Sequence, residues 1–509
     1  MESEIMVDKS CSSKSSQAKI PLRIVLAFLL STIGTAVILE FFERSRGFWN
    51  SGIDSELNTF DATANASLKF AIYPSGKAED THLQHVVGLL GVMGYKQTPL
   101  SEFDWNLLWA HEYPFQNMSQ VLRQILPHQI VNHIPGIGFI TSKVDLSTSS
   151  LPFMPKAFRL PEQKKEFLKY ASINPHTLFV EKHNKHRSIR IRSPSYLNLS
   201  SSDNFVQEFI QNPLLVDGHR FDIGVYVVLT SVDPLLIYMY TGDVLFRYCP
   251  EKYFPFDAEN TEKYVVGNDY LPTWEVPSLI KYFEIFGGSM RASFDAYLRD
   301  NSLDPNVVWL QVEDIVREAI LSKITNIAMI MRPYKTGNFF ELLRFDLIVD
   351  DKLKVHLMEA NMSPNLSSAH FKQNALLYKQ VLYSVFNIVG VGSSLRADKR
   401  FLDDEEMITS DKNIAINLNE CARYSCHKSC NKLECELCLT CLKGSEINIL
   451  RKANYEHLHK MDMKRIFPKT MVHPENFDIE AEVKNLSTKN AWLTRWFYGK
   501  CKDERSWCQ

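Results

Sequence analysis

Asp346, Glu359 and Asn361 are the residues whose types and spacing point most directly to chemistry; all three fall in FELLRFDLIVDDKLKVHLMEANMSPN. Residues two apart on a strand share a face, so Glu359 and Asn361 point the same way. Phe345–Val349 and Lys354–Met358 read as a hairpin turning at Asp350-Asp351, which lets Asp346 meet the other two from the partner strand. Two carboxylates and an amide oxygen on rigid strands are hard donors, suited to a Mg²⁺ ion that also carries nucleotide phosphates. The plainer reading is a surface aspartate and a turn asparagine.

The elements around this set read as alternating α and β. Leu68–Tyr73 reads as a strand, followed by a helix over Thr81–Met93 that Gly94 stops. Thr177–Glu181 is strand-like and runs into the basic stretch Lys182–Arg192. Phe221–Thr230, rich in β-branched residues, reads as a buried strand, with Leu235–Tyr240 beside it across the turn Ser231–Pro234. Val308–Met331 reads as one amphipathic helix.

Three segments in order resemble the tubulin–tyrosine ligase-like family. Phe339–Pro364 is similar to the pattern F-E-L-x-G-F-D-x-x-x-D…L-x-E-V-N-x-S-P. The stretch QEFIQNPLLVDGHRFDIGVYVVLTS resembles Q-x-Y-I-x-x-P-L-L-I-x-G-x-K-F-D-x-R-x-Y-V-L-V-T-S, and Val131–Gly136 with Lys143 resembles N-H-F-P-G…K-x-x-L. The resemblance implies an α/β ATP-grasp fold with an N-terminal lobe from about Leu68, a central lobe from about Phe153 and a C-terminal lobe to about Val391. It also implies ATP and Mg²⁺ as cofactors, with Asp346, Glu359 and Asn361 as the metal ligands. Lys182 takes the place of the lysine that reaches the nucleotide phosphates, and Gln207, Glu208, Phe209 and Ile210 match the segment whose backbone edge receives adenine. Arg220 and Asp222 match the basic residue and aspartate near the phosphates and the amino-acid substrate. Arg247 matches an arginine facing the transferred phosphoryl group, and Asn268 resembles an asparagine of a T-N-Y segment.

The implied activity is ATP-dependent ligation of an amino acid, glutamate by first choice, to a carboxylate of tubulin or another acidic protein, through an acyl phosphate. A second reading is a weakly active or inactive relative that binds nucleotide or partners from a membrane surface. Two departures favour it: Gly224 stands where the pattern F-D-x-R has arginine, and KHNKHRSIRIR lacks the glycines of a phosphate loop. A glycine cannot neutralise phosphate charge, and charge stabilisation is often the largest catalytic contribution. Lys185, Arg187, Arg190 and Arg192 are candidates to replace the missing charge.

The rest of the chain sets the context. With 45% hydrophobic and 23% charged residues, 509 residues make an ordinary globular protein of several lobes, and a net charge of −2 gives no general attraction to nucleic acid. Residues 1–19 read as a disordered cytosolic leader and 20–42, containing the uncharged run Ile24–Leu39, as a single transmembrane signal-anchor, with a cleaved signal peptide or a buried helix as the alternatives. Lys9, Lys14, Lys19 and Arg23 precede the run, which keeps the N-terminus cytosolic and sends the remainder to the lumen or outside. Residues 43–67 read as a linker, 68–391 as the ligase domain and 392–509 as a Cys-rich region. Cys421, Cys426, Cys430, Cys435, Cys438 and Cys441, with Cys501 and Cys508, admit two readings: a Zn²⁺ site with His427 close by, or disulfides in an oxidising compartment.

Overall fold

The computed structural model describes residues 68–74, 82–183, 189–200, 204–392, 412–423 and 435–509. The fold is α/β, with three sheets, and residues from Leu68 onward form one compact unit. The run Ile24–Leu39 and the segment 184–188 lie outside the described residues; among those described, no helix is long and apolar enough to cross a membrane.

The first sheet is parallel, in the order β2 (Lys96–Gln97), β1 (Lys69–Tyr73), β3 (Leu107–Ala110), β4 (Ile130–Val131). Parallel neighbours need crossovers, and the helices Gln84–Val92 and Phe115–Leu122 supply them. Gly94 follows the first of these helices at φ 84°, a left-handed position that glycine adopts without cost. The second sheet is antiparallel: β5 (Ala157–Arg159), β8 (Asn204–Glu208), β6 (Phe179–His183) and β7 (Arg190–Arg192), in that order.

The third sheet positions the candidate site. Its path is β14 (Val355–Met362), β13 (Glu341–Val349), β10 (His219–Val232), β11 (Leu235–Tyr240) and β15 (Met463–Phe467), with β9 (Leu215–Val216) and β12 (Leu245–Tyr248) also paired to β10. Residues Val225–Leu229 and all of β13 are buried, as expected of strands covered on both faces. The hairpin of β13 and β14 turns at Asp350, whose Oδ1 accepts from the backbone N–H groups of Lys352 and Lys354. The first sheet is pinned to the third by a buried contact: Glu341 Oε1 bonds His133 Nδ1 at 2.8 Å and Oε2 accepts from Ile134 N–H at 2.8 Å.

Two expectations need correction. Val308–Met331 is not one helix but two, Pro305–Leu321 and Ile324–Met331. Between them Ser322 turns its hydroxyl onto the Ala319 carbonyl, and Lys323 donates its amine to the carbonyl of Asp145. The described C-terminal cysteines are not a zinc site, while Cys426, His427 and Cys430 lie outside the described residues. Cys421 is bonded to Cys438 and Cys501 to Cys508, and Cys435 and Cys441 are also in disulfides, so none of the six is a free thiolate for a metal. The region after Val391 also contributes β15, which pairs with β11 in the third sheet.

Candidate active site

One face of the third sheet carries a charged cluster, and strand parity builds it. Asp222, Gly224 and Tyr226 alternate along β10 and so share a face. Across the ladders Asp222 stands opposite Arg247 of β12, Gly224 opposite Asp346 of β13, and Tyr226 opposite Arg344. On the far side of β13, Asp346 stands opposite Glu359 and Arg344 opposite Asn361 of β14. Four strands thus bring Asp222, Arg247, Arg344, Asp346, Glu359 and Asn361 together.

The contacts are those of charge-assisted pairs. Arg247 donates Nε and Nη2 to the two oxygens of Asp222, each at 2.8 Å, and its Nη2 lies 3.1 Å from Asp346 Oδ2. Arg344 donates Nε to Asp346 Oδ1 at 2.7 Å and Nη2 to Oδ2 at 2.9 Å. The amide of Asn361 donates to Asp346 and to Glu359 at 3.1 Å each, and Lys143 pairs with Glu359 at 2.9 Å. Burial opposes the charge on Asp346, but Arg344 and Arg247 outweigh it and hold the carboxyl down at about 2. Burial pushes Asp222 up to about 6 against the pull of Arg247.

Two cations, Lys182 half-buried and Arg220 buried, flank this face without a carboxylate partner among the described residues. The Lys182 amine, on β6, donates to Gln207 Oε1 at 2.7 Å, and burial pulls its pKa down to about 8, opposed by Glu359 and reinforced by Lys143 and Arg220. Arg220, only 4% exposed, lays its guanidinium 4.9 Å from the Phe209 ring centroid, and its buried Nη1 has no hydrogen-bond partner. A buried donor left unpaired costs about 1–3 kcal/mol, so this nitrogen is aimed at an acceptor the protein does not provide. Along the segment after β8, the N–H of Glu208 is taken by the Lys156 carbonyl and that of Phe209 by the Leu178 carbonyl. Ile210 is next and half-buried, and neither its N–H nor its C=O has a partner among the described residues. One free donor beside one free acceptor matches the hydrogen-bonding edge of an adenine ring.

The donor set fits Mg²⁺ by type. Both carboxylates come within hydrogen-bond distance of one Asn361 nitrogen, so a single point is in reach of all three side chains, and which amide atom faces it is a matter of the Asn rotamer. Among the described residues no group of three or more His, Cys, Asp or Glu side chains forms a metal site, and this set has two carboxylates only.

Asn268 is not brought into the cluster: it lies exposed on a turn and makes no hydrogen bond or ion pair to it. Lys185 and Arg187 lie outside the described residues, while Arg190 is exposed and Arg192 half-buried on β7. Two residues of the cluster escaped the sequence reading. Lys143 was visible in the motif around Val131–Gly136, but its contact with Glu359 crosses between elements. Arg344 stands where the pattern F-E-L-x-G-F-D has glycine, a departure legible from the residues alone.

Comparison with known proteins bears on the same segments. The family model described as "Tubulin-tyrosine ligase family" matches residues 120–397, more than half of the chain, and spans the cluster from Lys143 to Asn361. A Caenorhabditis elegans protein named "Probable tubulin polyglutamylase ttll-15" is 40% identical over 485 residues, 92% of this chain and 93% of its own length. The mouse "Tubulin polyglutamylase TTLL6" is 26% identical over 325 residues and the human "Tubulin polyglutamylase TTLL7" 28% over 341. Each of these alignments covers 60% of this chain but only 38% and 37% of the respective relative. The chain belongs to the tubulin–tyrosine ligase family.

Proposed function

We propose that the chain is an ATP-grasp ligase that joins glutamate, or another amino acid, to a carboxylate of tubulin or another acidic protein. The observation that carries this reading is the pair of cations, half-buried Lys182 and buried Arg220, without carboxylate partners among the described residues and beside a face already rich in arginine. Counting Lys143, Lys182, Arg220, Arg247 and Arg344 against Asp222, Asp346 and Glu359, the site holds two more positive than negative charges. Such an excess on a partly buried face suits a polyphosphate.

In this reading Ile210 presents its backbone to adenine, while Lys182 and Arg220 hold the phosphates. An acceptor carboxylate attacks the γ-phosphorus and ADP leaves, giving an acyl phosphate; the amine of the incoming amino acid then displaces inorganic phosphate and forms the amide. No side-chain nucleophile is needed, so the chain's work is alignment and charge neutralisation. Asp346, Glu359 and Asn361 would hold Mg²⁺, which when bound offsets phosphate charge. The tether is the run within residues 20–42.

The test is incorporation of labelled glutamate into tubulin and acidic peptides by the full chain with ATP, alongside direct ATP binding. Lys182→Ala should lower ATP affinity at least about tenfold, the scale of one lost charge-assisted contact. Glu359→Gln should remove the Mg²⁺ dependence of binding. Glycine at 224 supports the second reading, a nucleotide-binding relative without turnover. ATP binding that is intact in the wild type, with no incorporation into any acidic acceptor, would favour that reading; no ATP binding at all would end both.

A further inference from the structure

Gly224 occupies the interior of β10, where glycine costs conformational entropy and leaves nothing to pack. Its backbone is not in the left-handed region, so conformational freedom is not the reason it is there. Space is. A Cβ at this position would lie 3.0 Å from Arg344 Cδ, 3.4 Å from Asp346 Oδ1 and 3.5 Å from Arg344 Nε. The aliphatic stem of Arg344 therefore lies across the glycine, in room that any side chain at 224 would take.

The guanidinium it delivers has more donors than the fold uses. Arg247 gives its bidentate pair to Asp222 and reaches Asp346 with one nitrogen, while Arg344 is the main partner of Asp346. With Lys143, Lys182 and Arg220 beside them the face still carries an excess of positive charge. Arg344 is only 8% exposed and spends Nε and Nη2 on Asp346, while Nη1 has no protein partner among the described residues. Bringing two guanidiniums together out of water is costly. The arrangement is stabilised when an anion arrives at the same face.

Positions 224 and 344 are diagonal neighbours across β10 and β13, because Gly224 stands opposite Asp346 and Tyr226 opposite Arg344. Diagonal Cβ atoms sit roughly 7–8 Å apart, within the reach of an arginine stem. A guanidinium launched from either position can thus occupy the same space over Asp346. In the patterns that the sequence resembles, arginine stands at the place of 224 and glycine at the place of 344; here the two have changed sides.

We propose that Arg344 supplies the anion-binding charge that β10 lacks, and that Gly224 is the vacancy that admits it, so that the two positions form one functional unit. This deepens the ligase reading and rests on it, with the phosphate chain of the nucleotide as the anion. It also reverses the simplest expectation for Gly224. Adding an arginine there would not restore a missing charge; it would collide with one already present.

The experiment is a two-by-two cycle on the full chain: wild type, Gly224→Arg, Arg344→Gly and the double exchange. Affinities for ATP and for inorganic triphosphate without metal are measured by calorimetry, and melting temperature is measured on the same samples. Arg344→Gly should fold with a lowered melting temperature, Arg247 keeping one contact to Asp346, and should bind triphosphate about ten- to a hundredfold more weakly, the scale of one charge-assisted contact. Gly224→Arg alone should lower the melting temperature. The double exchange should recover affinity to within about threefold of wild type, well inside the effect of one lost contact. Unchanged triphosphate affinity in Arg344→Gly, or a double exchange no better than Arg344→Gly, would overturn the proposal. Lys182→Ala separates the two levels: if it weakens triphosphate binding while Arg344→Gly does not, the ligase reading stands and the exchange fails. A folded wild type that binds no triphosphate would overturn both.

Discussion

Lys182 gives the clearest prediction at the scale of the residue. Its amine is charged below about pH 8 in the free protein, because burial favours the neutral form. A bound phosphate favours the charged form, so above pH 8 binding must take up a proton. ATP affinity should be level up to about pH 8 and then fall by up to about tenfold per unit, while Lys182→Arg, with a guanidinium charged at every accessible pH, should hold the plateau further. Isothermal titration between pH 6.5 and 10 tests this, and an affinity in the wild type that is flat to pH 10 would rule out a phosphate on Lys182. Much of the cluster was legible at this scale: Glu359 and Asn361 share a face by strand parity, and the hairpin folds Asp346 onto them. The departure at Arg344 was legible too, but its role was not, because that depends on the register between β10 and β13, which no local pattern encodes.

Among the elements, hairpins and parity were readable where the interaction is local. The β10–β11 and β13–β14 pairs were, since each turn joins adjacent segments. The break at Ser322-Lys323 was not, because the Asp145 carbonyl that receives the Lys323 amine comes from a distant segment. The same holds for the buried His133–Glu341 contact that joins the first sheet to the start of β13. Burial raises the pKa of Glu341, opposed by His133 and the Ile134 N–H. Glu341→Ala would strip partners from His133 and Ile134 at once and should cost about 3–5 kcal/mol, the scale for breaking a buried pair. Urea unfolding measures it; a loss under about 1 kcal/mol would mean that water replaces the carboxylate freely.

At the scale of the whole molecule, the disulfides of the C-terminal region bear on where the chain resides. Such bonds persist in oxidising compartments, and we propose on that ground and on the charge bias of Lys9, Lys14, Lys19 and Arg23 that this region is lumenal. Under that orientation the acceptor is an acidic lumenal protein and not cytosolic tubulin. In intact membranes a tag at the C-terminus should resist protease until detergent is added, and digestion without detergent would place the site in the cytosol. Acid stability has a locus in the same region: His457 stacks on Trp507 with ring centroids 3.8 Å apart, and burial, with Lys460, Arg465 and Lys500, pulls its pKa down to about 3. The unfolded histidine takes a proton below about pH 6.5, so the unfolded state binds more protons between pH 6.5 and 3, and stability drops as the solution is acidified through that window. His457→Gln should flatten the fall by about 1 kcal/mol per unit after allowing for partial exposure of the ring, read from urea melts at pH 4 to 7; an unaltered slope would assign the acid sensitivity to other groups. The pairing of β15 with β11 has a further consequence, for the order in which the molecule can be made. More than two hundred residues separate Tyr240 from Met463, so β11 is made long before the strand that pairs with its edge exists. Until then β11, wholly buried in the finished protein, offers an open edge to any neighbouring nascent chain. The sheet that carries the site therefore cannot be completed until β15 has been made, and an unpaired β11 edge is where misassembly of the growing chain would start.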